Sequence, residues 1–269
     1  MKTLLRRHPL PHVFALCLFA ATLAHPCLAA DPADSGGHNL LSPGEKSAGW
    51  RLLWDGATTT GWRTPKSDSF PTNLWRIRDG ELTVLASGNP LAGAGGDIIT
   101  TERYANFELT ADFKTSAGCN SGIKIFVQPN LNQTTGKPAT GNNGATLGLE
   151  YQILDDERHP DAKLGHDGDR KLGALYDLLP PGPNKHVNPV GEWNHLRIVS
   201  RGRHVEHWLN GEKILDYDRG SEAFRQAVAA SKFSKVPGFG GWEDGHILLQ
   251  EHGSEVSFRD LKIRILPAE

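Results

Sequence analysis

Hydrophobic and polar positions alternate with period two along most of this chain. The cleanest case is Phe107-Glu108-Leu109-Thr110-Ala111-Asp112-Phe113-Lys114, with four apolar side chains on one face and four polar ones on the other. Gly148 to Asp155 repeats the pattern, with Leu149, Tyr151 and Ile153 on one side and Glu150 and Gln152 on the other. After Asn120-Ser121-Gly122, the residues Ile123, Ile125 and Val127 are expected on the core face, with Lys124 and Phe126 opposite. Further short strands are read at 74–77, 79–84, 98–101, 172–176, 193–199, 204–209, 212–215, 247–253 and 256–265. Asp79-Gly80 and Asn210-Gly211 supply the dipeptides of tight hairpins. One helix is expected over 221–229, with Ser221 as its N-cap. About a dozen short strands and one short helix predict an all-β antiparallel sandwich, with one domain over 49–266.

Two segments depart from that pattern. Residues 1–30 combine a basic start (Lys2, Arg6, Arg7), an apolar run from Val13 to Leu23 and the small residues Ala29-Ala30. This is the layout of a secretory signal peptide, and the run is too short to span a bilayer as a helix. The expectation is a periplasmic or secreted protein without a membrane span. Residues 31–48, rich in Gly, Pro and Ser, read as a flexible leader with nothing to bury. The polar stretch from Gln128 to Thr146 reads as a long loop on the rim of a site.

Charge and cysteines narrow the partners. Loss of residues 1–30 removes Lys2, Arg6 and Arg7 and no acid, shifting the formal net charge from −2 to −5. A mildly acidic chain argues against nucleic acid as a partner. Cys17 and Cys27 lie in the expected signal segment, so Cys119 alone remains after its removal and no intramolecular disulfide can form.

The candidate chemistry sits on two strands. Glu150 and Gln152 share a polar face, and Gln250 and His252 share another in Leu249-Gln250-Glu251-His252-Gly253. A carboxylate, two amides and an imidazole suit acid–base work on a polyhydroxylated ligand, although a polar strand face is also ordinary solvated surface. His207 alternates with Val205 and Leu209, which places it either in the site or against the core. Lys124 can face the same groove, and Trp193 and Tyr176 can stack on a sugar or fill the core. The acidic loop with Asp155, Asp156, His159, His166, Asp167 and Asp169 fits no calcium-loop spacing. A divalent ion held by Glu150, Asp155 and a histidine stays open as the cofactor alternative. No Gly-rich phosphate loop or dinucleotide fingerprint is present.

These words, in this order, resemble the 3-keto-disaccharide hydrolase domain family, a concanavalin A-like sandwich group. They include Leu53-Trp54-Asp55-Gly56, Asn120-Ser121-Gly122-Ile123, Gly148 to Asp155, Gly173-Ala174-Leu175-Tyr176, Gly191-Glu192-Trp193-Asn194, His207-Trp208-Leu209-Asn210-Gly211 and Leu249 to Gly253. Many members carry an arginine shortly after the Asn-Ser-Gly strand, where this chain has Lys124-Ile125-Phe126-Val127. The resemblance implies cleavage of glycosides already oxidised at carbon 3, by elimination across carbons 1 and 2 and rehydration. It implies Glu150, His252 and His207 as catalytic residues. Asn120, Lys124, Gln152, Tyr176, Trp193 and Gln250 would be the substrate contacts, and a separate oxidoreductase would supply the substrate. A lectin-like binding domain and a conventional glycosidase are the competing readings; the latter wants two carboxylates, and only Glu150 has a groove-facing position in the sequence.

Overall fold

The alternation over residues 107–114 builds β6 (Phe107–Thr115), whose Phe107, Leu109, Ala111 and Phe113 are buried. In the computed structural model, which describes residues 37–87 and 95–268, β6 is the middle of an eight-stranded antiparallel sheet. Its strands are β1 (Trp50–Leu52), β3 (Trp75–Arg78), β4 (Glu81–Val84), β6, β10 (Trp193–Arg201), β11 (His204–Leu209), β12 (Glu212–Asp218) and β14 (Val256–Ile265). They run in the order β12-β11-β10-β6-β14-β4-β3, with β1 also on β14. We call this sheet A. Sheet B is built from β2 (Trp62–Arg63), β5 (Ile98–Thr100), β7 (Asn120–Asn132), β8 (Lys137–Pro138), β9 (Ala145–Leu154) and β13 (His246–Leu249). Its order is β2-β5-β13-β7-β8, with β9 also paired to β7. This is the expected all-β sandwich.

The inner faces meet in one apolar cluster. Sheet A contributes Phe107, Leu109, Phe113, Leu196, Ile198, Phe258 and Ile263, among others, and sheet B contributes Ile123, Ile125, Leu149, Tyr151, Ile153, Ile247 and Leu249. The hairpins form where expected, with left-handed backbone at Asp79-Gly80 and Asn210-Gly211, as a two-residue turn matched to strand twist requires. Helix α2 (Glu222–Ala230) is capped by Ser221, whose hydroxyl accepts the Phe224 N–H at 3.1 Å.

Five expectations change. The described part of the leader is tied to the sandwich, because Asn39 is buried, exchanges hydrogen bonds with Asp260 and donates to the Gly80 carbonyl. A second short helix, α1 (Pro43–Ser47), follows behind a Ser42–Glu45 capping box, and Glu45 reaches Lys262 at 2.7 Å. The stretch after Gln128 is a continuation of β7 and its return through β8 into β9, not an open loop. Residues 172–176 form no strand of their own; they run along the free edge of β9 through Gly173 N–H to Gln152, Gln152 N–H to Ala174 and Tyr176 N–H to Glu150. Finally, Phe126 adopts φ +54 and the β7–β9 register shifts after Ile125. That bulge turns Phe126 into the core and Val127 onto the outer face beside Ile99 and Leu248, the reverse of simple alternation. The signal-peptide expectation for residues 1–30 lies outside the described residues.

Candidate active site

Pairing across sheet B decides which side chains share its outer face. Lys124 lies opposite Glu150 on β7 and β9, and opposite Leu248 on β13, while Leu248 lies opposite Ile99 on β5. Two residues along, Gly122 lies opposite Gln152, Gln250 N–H bonds the Gly122 carbonyl, and Asp97 precedes Ile98. Two rows therefore cross four strands: Ile99–Leu248–Lys124–Glu150 and Asp97–Gln250–Gly122–Gln152. Asn120, opposite Leu154, extends the same face.

These groups are recessed although they lie outside the core. Glu150, Gln152, Gln250 and Asn120 are all buried. Glu150 pairs with Lys124 at 3.4 Å, their side chains 10% and 16% exposed. Burial works against the Lys124 charge, but Glu150 and Asp97 outweigh it and hold its ammonium above the usual lysine value. Glycine is needed at 122, because a Cβ there would overlap the Glu150 carboxylate. Gln152 donates to Asn120 at 3.4 Å, and the side-chain oxygens of Gln152 and Gln250 have no partner among the described residues. A buried carbonyl oxygen without a donor is uncommon in native proteins, and here two flank one glycine.

Several neighbours were missed in the sequence. Asp97 accepts the Glu251 N–H at 2.9 Å, and burial, with the anionic Glu150 and Glu251 nearby, raises its carboxyl above the ordinary range despite Lys124. Lys232, just past α2, lies with its ammonium 4.2 Å from the Tyr176 ring centre and donates its backbone N–H to Asp177. Burial lowers its affinity for a proton, against the pull of Glu150 and Asp177. The signal for Asp97 was the spacing Asp97-Ile98-Ile99, which is period two if the strand starts one residue early.

The other expected residues separate. Tyr176 flanks the face, its backbone on Glu150 and its hydroxyl on Asp161 at 2.9 Å. His252 lies beyond the end of β13, with Nδ1 buried and unpartnered among the described residues. His207 is corrected: it is fully buried between the sheets, its ring tilted against Tyr151 at 4.8 Å and bonded through Nδ1 to the Gly173 carbonyl. Tyr151 points to the opposite side of β9 from Glu150, so His207 has no path to the face. Burial pushes its pKa down to about 4. Trp193 is corrected as well, since it sits on the outer face of sheet A under Lys114 and Arg259. Asp155 is committed to the Gly118, Glu157 and Arg158 N–H groups and to the Arg158 guanidinium. Among the described residues no group of three His, Cys, Asp or Glu is arranged to hold a metal ion. Asp155 therefore does not fit the expected divalent site. A cavity of about 540 Å³ lies elsewhere, between β6 and the 155–158 and 187–190 segments, and its Asp155, Asn188 and Asn194 are already hydrogen-bonded.

The fold defines a concanavalin A-like sandwich with a polar, recessed outer face on one sheet. Within that class the chain belongs to the family described as the 3-keto-alpha-glucoside-1,2-lyase-like domain, which matches residues 49–264. A curated relative from Bacteroides thetaiotaomicron, named 3-keto-disaccharide hydrolase, is 36% identical over 251 residues, covering 87% of this chain and 80% of the relative. Two crystal structures from Parabacteroides distasonis, both of proteins assigned provisionally as glycosyl hydrolases, are also similar. One has a TM-score of 0.71 at 31% identity, covering 86% of this chain and all of that one. The other has a TM-score of 0.56 at 27% identity, covering 81% and 99%. Among the described residues no helix is long and apolar enough to cross a membrane.

Proposed function

We propose that this chain is an exported enzyme that cleaves the glycosidic bond of 3-keto-glycosides on the outer face of sheet B. Family membership and the named relative support glycoside cleavage; export rests on the layout of residues 1–30. The observation that carries the mechanism is the recessed Glu150–Lys124 pair, set among amide oxygens without donors. A ketone at carbon 3 acidifies the carbon 2 hydrogen. Glu150 takes that proton, the electrons pass to the carbon 3 oxygen as an enolate, and Lys124 stabilises the developing negative charge. The enolate then expels the carbon 1 oxygen, and water adds back to the resulting enone. The unpartnered oxygens of Gln152 and Gln250 accept sugar hydroxyls, with Asn120, Tyr176 and His252 around them. The ketone itself must come from a separate oxidoreductase.

Asp97 favours one second reading. It gives the face a second carboxyl, so hydrolysis of unoxidised glycosides by a carboxylate pair is the competitor.

The deciding experiment supplies a glucoside and its 3-keto analogue in deuterium oxide. Only the keto sugar is expected to be cleaved, with deuterium appearing at carbon 2 beyond spontaneous exchange. Cleavage of the unoxidised glucoside, or a product without carbon 2 deuterium, would reject elimination. Binding of both sugars with turnover of neither would make the domain a lectin. N-terminal sequencing of protein from the native host checks export, and an intact Met1 would refute it.

A further inference from the structure

We infer that Asp97 is the second proton-transfer group of this face, placed to protonate the glycosidic oxygen as it leaves carbon 1 while Glu150 holds the proton from carbon 2. The inference rests on the proposed function and adds the acid that the elimination requires.

The geometry comes from the row Asp97–Gln250–Gly122–Gln152. Strands lie 4.7–4.9 Å apart, so the backbones of Asp97 and Gly122, two strands apart, are separated by roughly 10 Å. Glu150 belongs to the neighbouring row, but its carboxylate leans over Gly122, into the space that any other side chain would fill. The two carboxyls thus look at each other across Gln250, whose oxygen has no donor among the described residues. A sugar ring resting on that glutamine has Glu150 on one side and Asp97 on the other. Asp97 is held in place by its backbone neighbour: one carboxyl oxygen accepts the Glu251 N–H at 2.9 Å, which leaves the other to face the sugar.

Electrostatics divide the roles. The charged groups facing Asp97 are Lys124 on β7, Glu150 on β9 and Glu251 after β13. One ammonium serves two carboxyls, and it lies at 3.4 Å from Glu150. Asp97, half-buried beside two carboxyl groups, is held toward its protonated form, which is what a donor to a leaving oxygen must be. The proton count closes. Glu150 gains the carbon 2 proton, the carbon 1–oxygen bond breaks, and Asp97 passes its proton to the departing alcohol. In the return step the Asp97 carboxylate takes a proton from the water adding at carbon 1, and Glu150 returns its proton to carbon 2.

The test uses Asp97→Asn on the full chain with two 3-keto-glucosides, methyl and 4-nitrophenyl. The substituted amide oxygen can still accept the Glu251 N–H, and a melting curve checks the fold. Methanol must be protonated as it leaves and nitrophenolate need not be. The methyl substrate should therefore slow by roughly 10²–10⁴-fold and the nitrophenyl substrate by less than about 10-fold. Carbon 2 exchange of the 3-keto derivative of 1,5-anhydroglucitol, which has no leaving group, reads Glu150 alone. It should stay within about twofold of the wild-type rate. Equal losses on both glucosides, or lost exchange, would overturn the assignment of Asp97. So would a leaving-group-selective loss that appears in His252→Ala instead. A wild-type protein that cleaves neither keto-glucoside would overturn the proposed function, and this inference with it.

Discussion

The two outer faces of the sandwich use similar residues to opposite ends. On sheet A, Glu108 is buried between Arg197 and Arg264, and Asp112 is held by His195 at 2.8 Å and Arg259 at 3.3 Å. Aromatic rings cover the cations: Trp208 under Arg197, Trp50 under Arg264, and Trp193 under Lys114 and Arg259. Each of these carboxylates has two basic partners. On sheet B the Lys124 ammonium is shared by Glu150 and Asp97, with Lys232 also drawn toward Glu150, and two amide oxygens go without a donor among the described residues. A face whose polar groups satisfy each other has nothing left for a ligand. A face left short of donors is completed by hydroxyl groups from outside.

The largest effect expected from that contrast is on turnover. Glu150→Gln should lower kcat/KM on a 3-keto-glucoside by roughly 10²–10⁴-fold. Glu108→Gln should leave it unchanged and instead cost about 2 kcal/mol in denaturant unfolding, between the surface and buried ion-pair ranges, since its arginines can turn to water. Similar activity in both variants would erase the distinction between the faces.

A smaller effect is expected at the notch. Gly122→Ala pushes the Glu150 carboxylate aside. A displacement of about 1 Å should cost up to roughly 10²-fold in kcat/KM, with about 1–3 kcal/mol lost to overpacking. An alanine variant with full activity would show that the carboxylate works from another position.

The smallest effect on activity belongs to His207, which now lies between the faces. His207→Gln should retain turnover within about twofold while changing the response to acid. The folded pKa is about 4 and the unfolded value 6.5, so between these the unfolded chain binds more protons. Stability therefore rises with pH across that window, and about 3 kcal/mol is lost on acidification from 6.5 to 4. Melting temperature against pH should flatten there in the variant. An unchanged acid limb would contradict neutral burial of His207, and a collapse of turnover would return it to the site.

Much of this was legible as alternation. Phe107 to Phe113 and Leu149 to Ile153 declare one buried face each, and Glu150 and Gln152 follow on the other side. Alternation tells a core side from an outer side, but not which sheet a strand joins. Trp193 was therefore expected near the sugar when its outer face belongs to sheet A. Asp97 escaped notice because β5 has only three residues, buried on both faces, and a polar residue before such a run looks like a turn. Its place beside Gln250 arises from pairing between residues more than 140 positions apart, which no local pattern contains. Val127 was assigned to the core because a bulge inserts one residue without any mark in the hydrophobic pattern.

That bulge also splits β7 into two independent halves. From Asn120 to Ile125 the strand keeps step with β9 and β13 and fixes Lys124. From Gln128 onward its count with β9 is different, and it shifts once more between Gln128 and Leu131, where β8 joins. The hairpin beyond Phe126 is in effect an interchangeable cassette. Lengthened by two residues on each arm it preserves its own in-and-out order, while the half that carries Lys124 stays in frame.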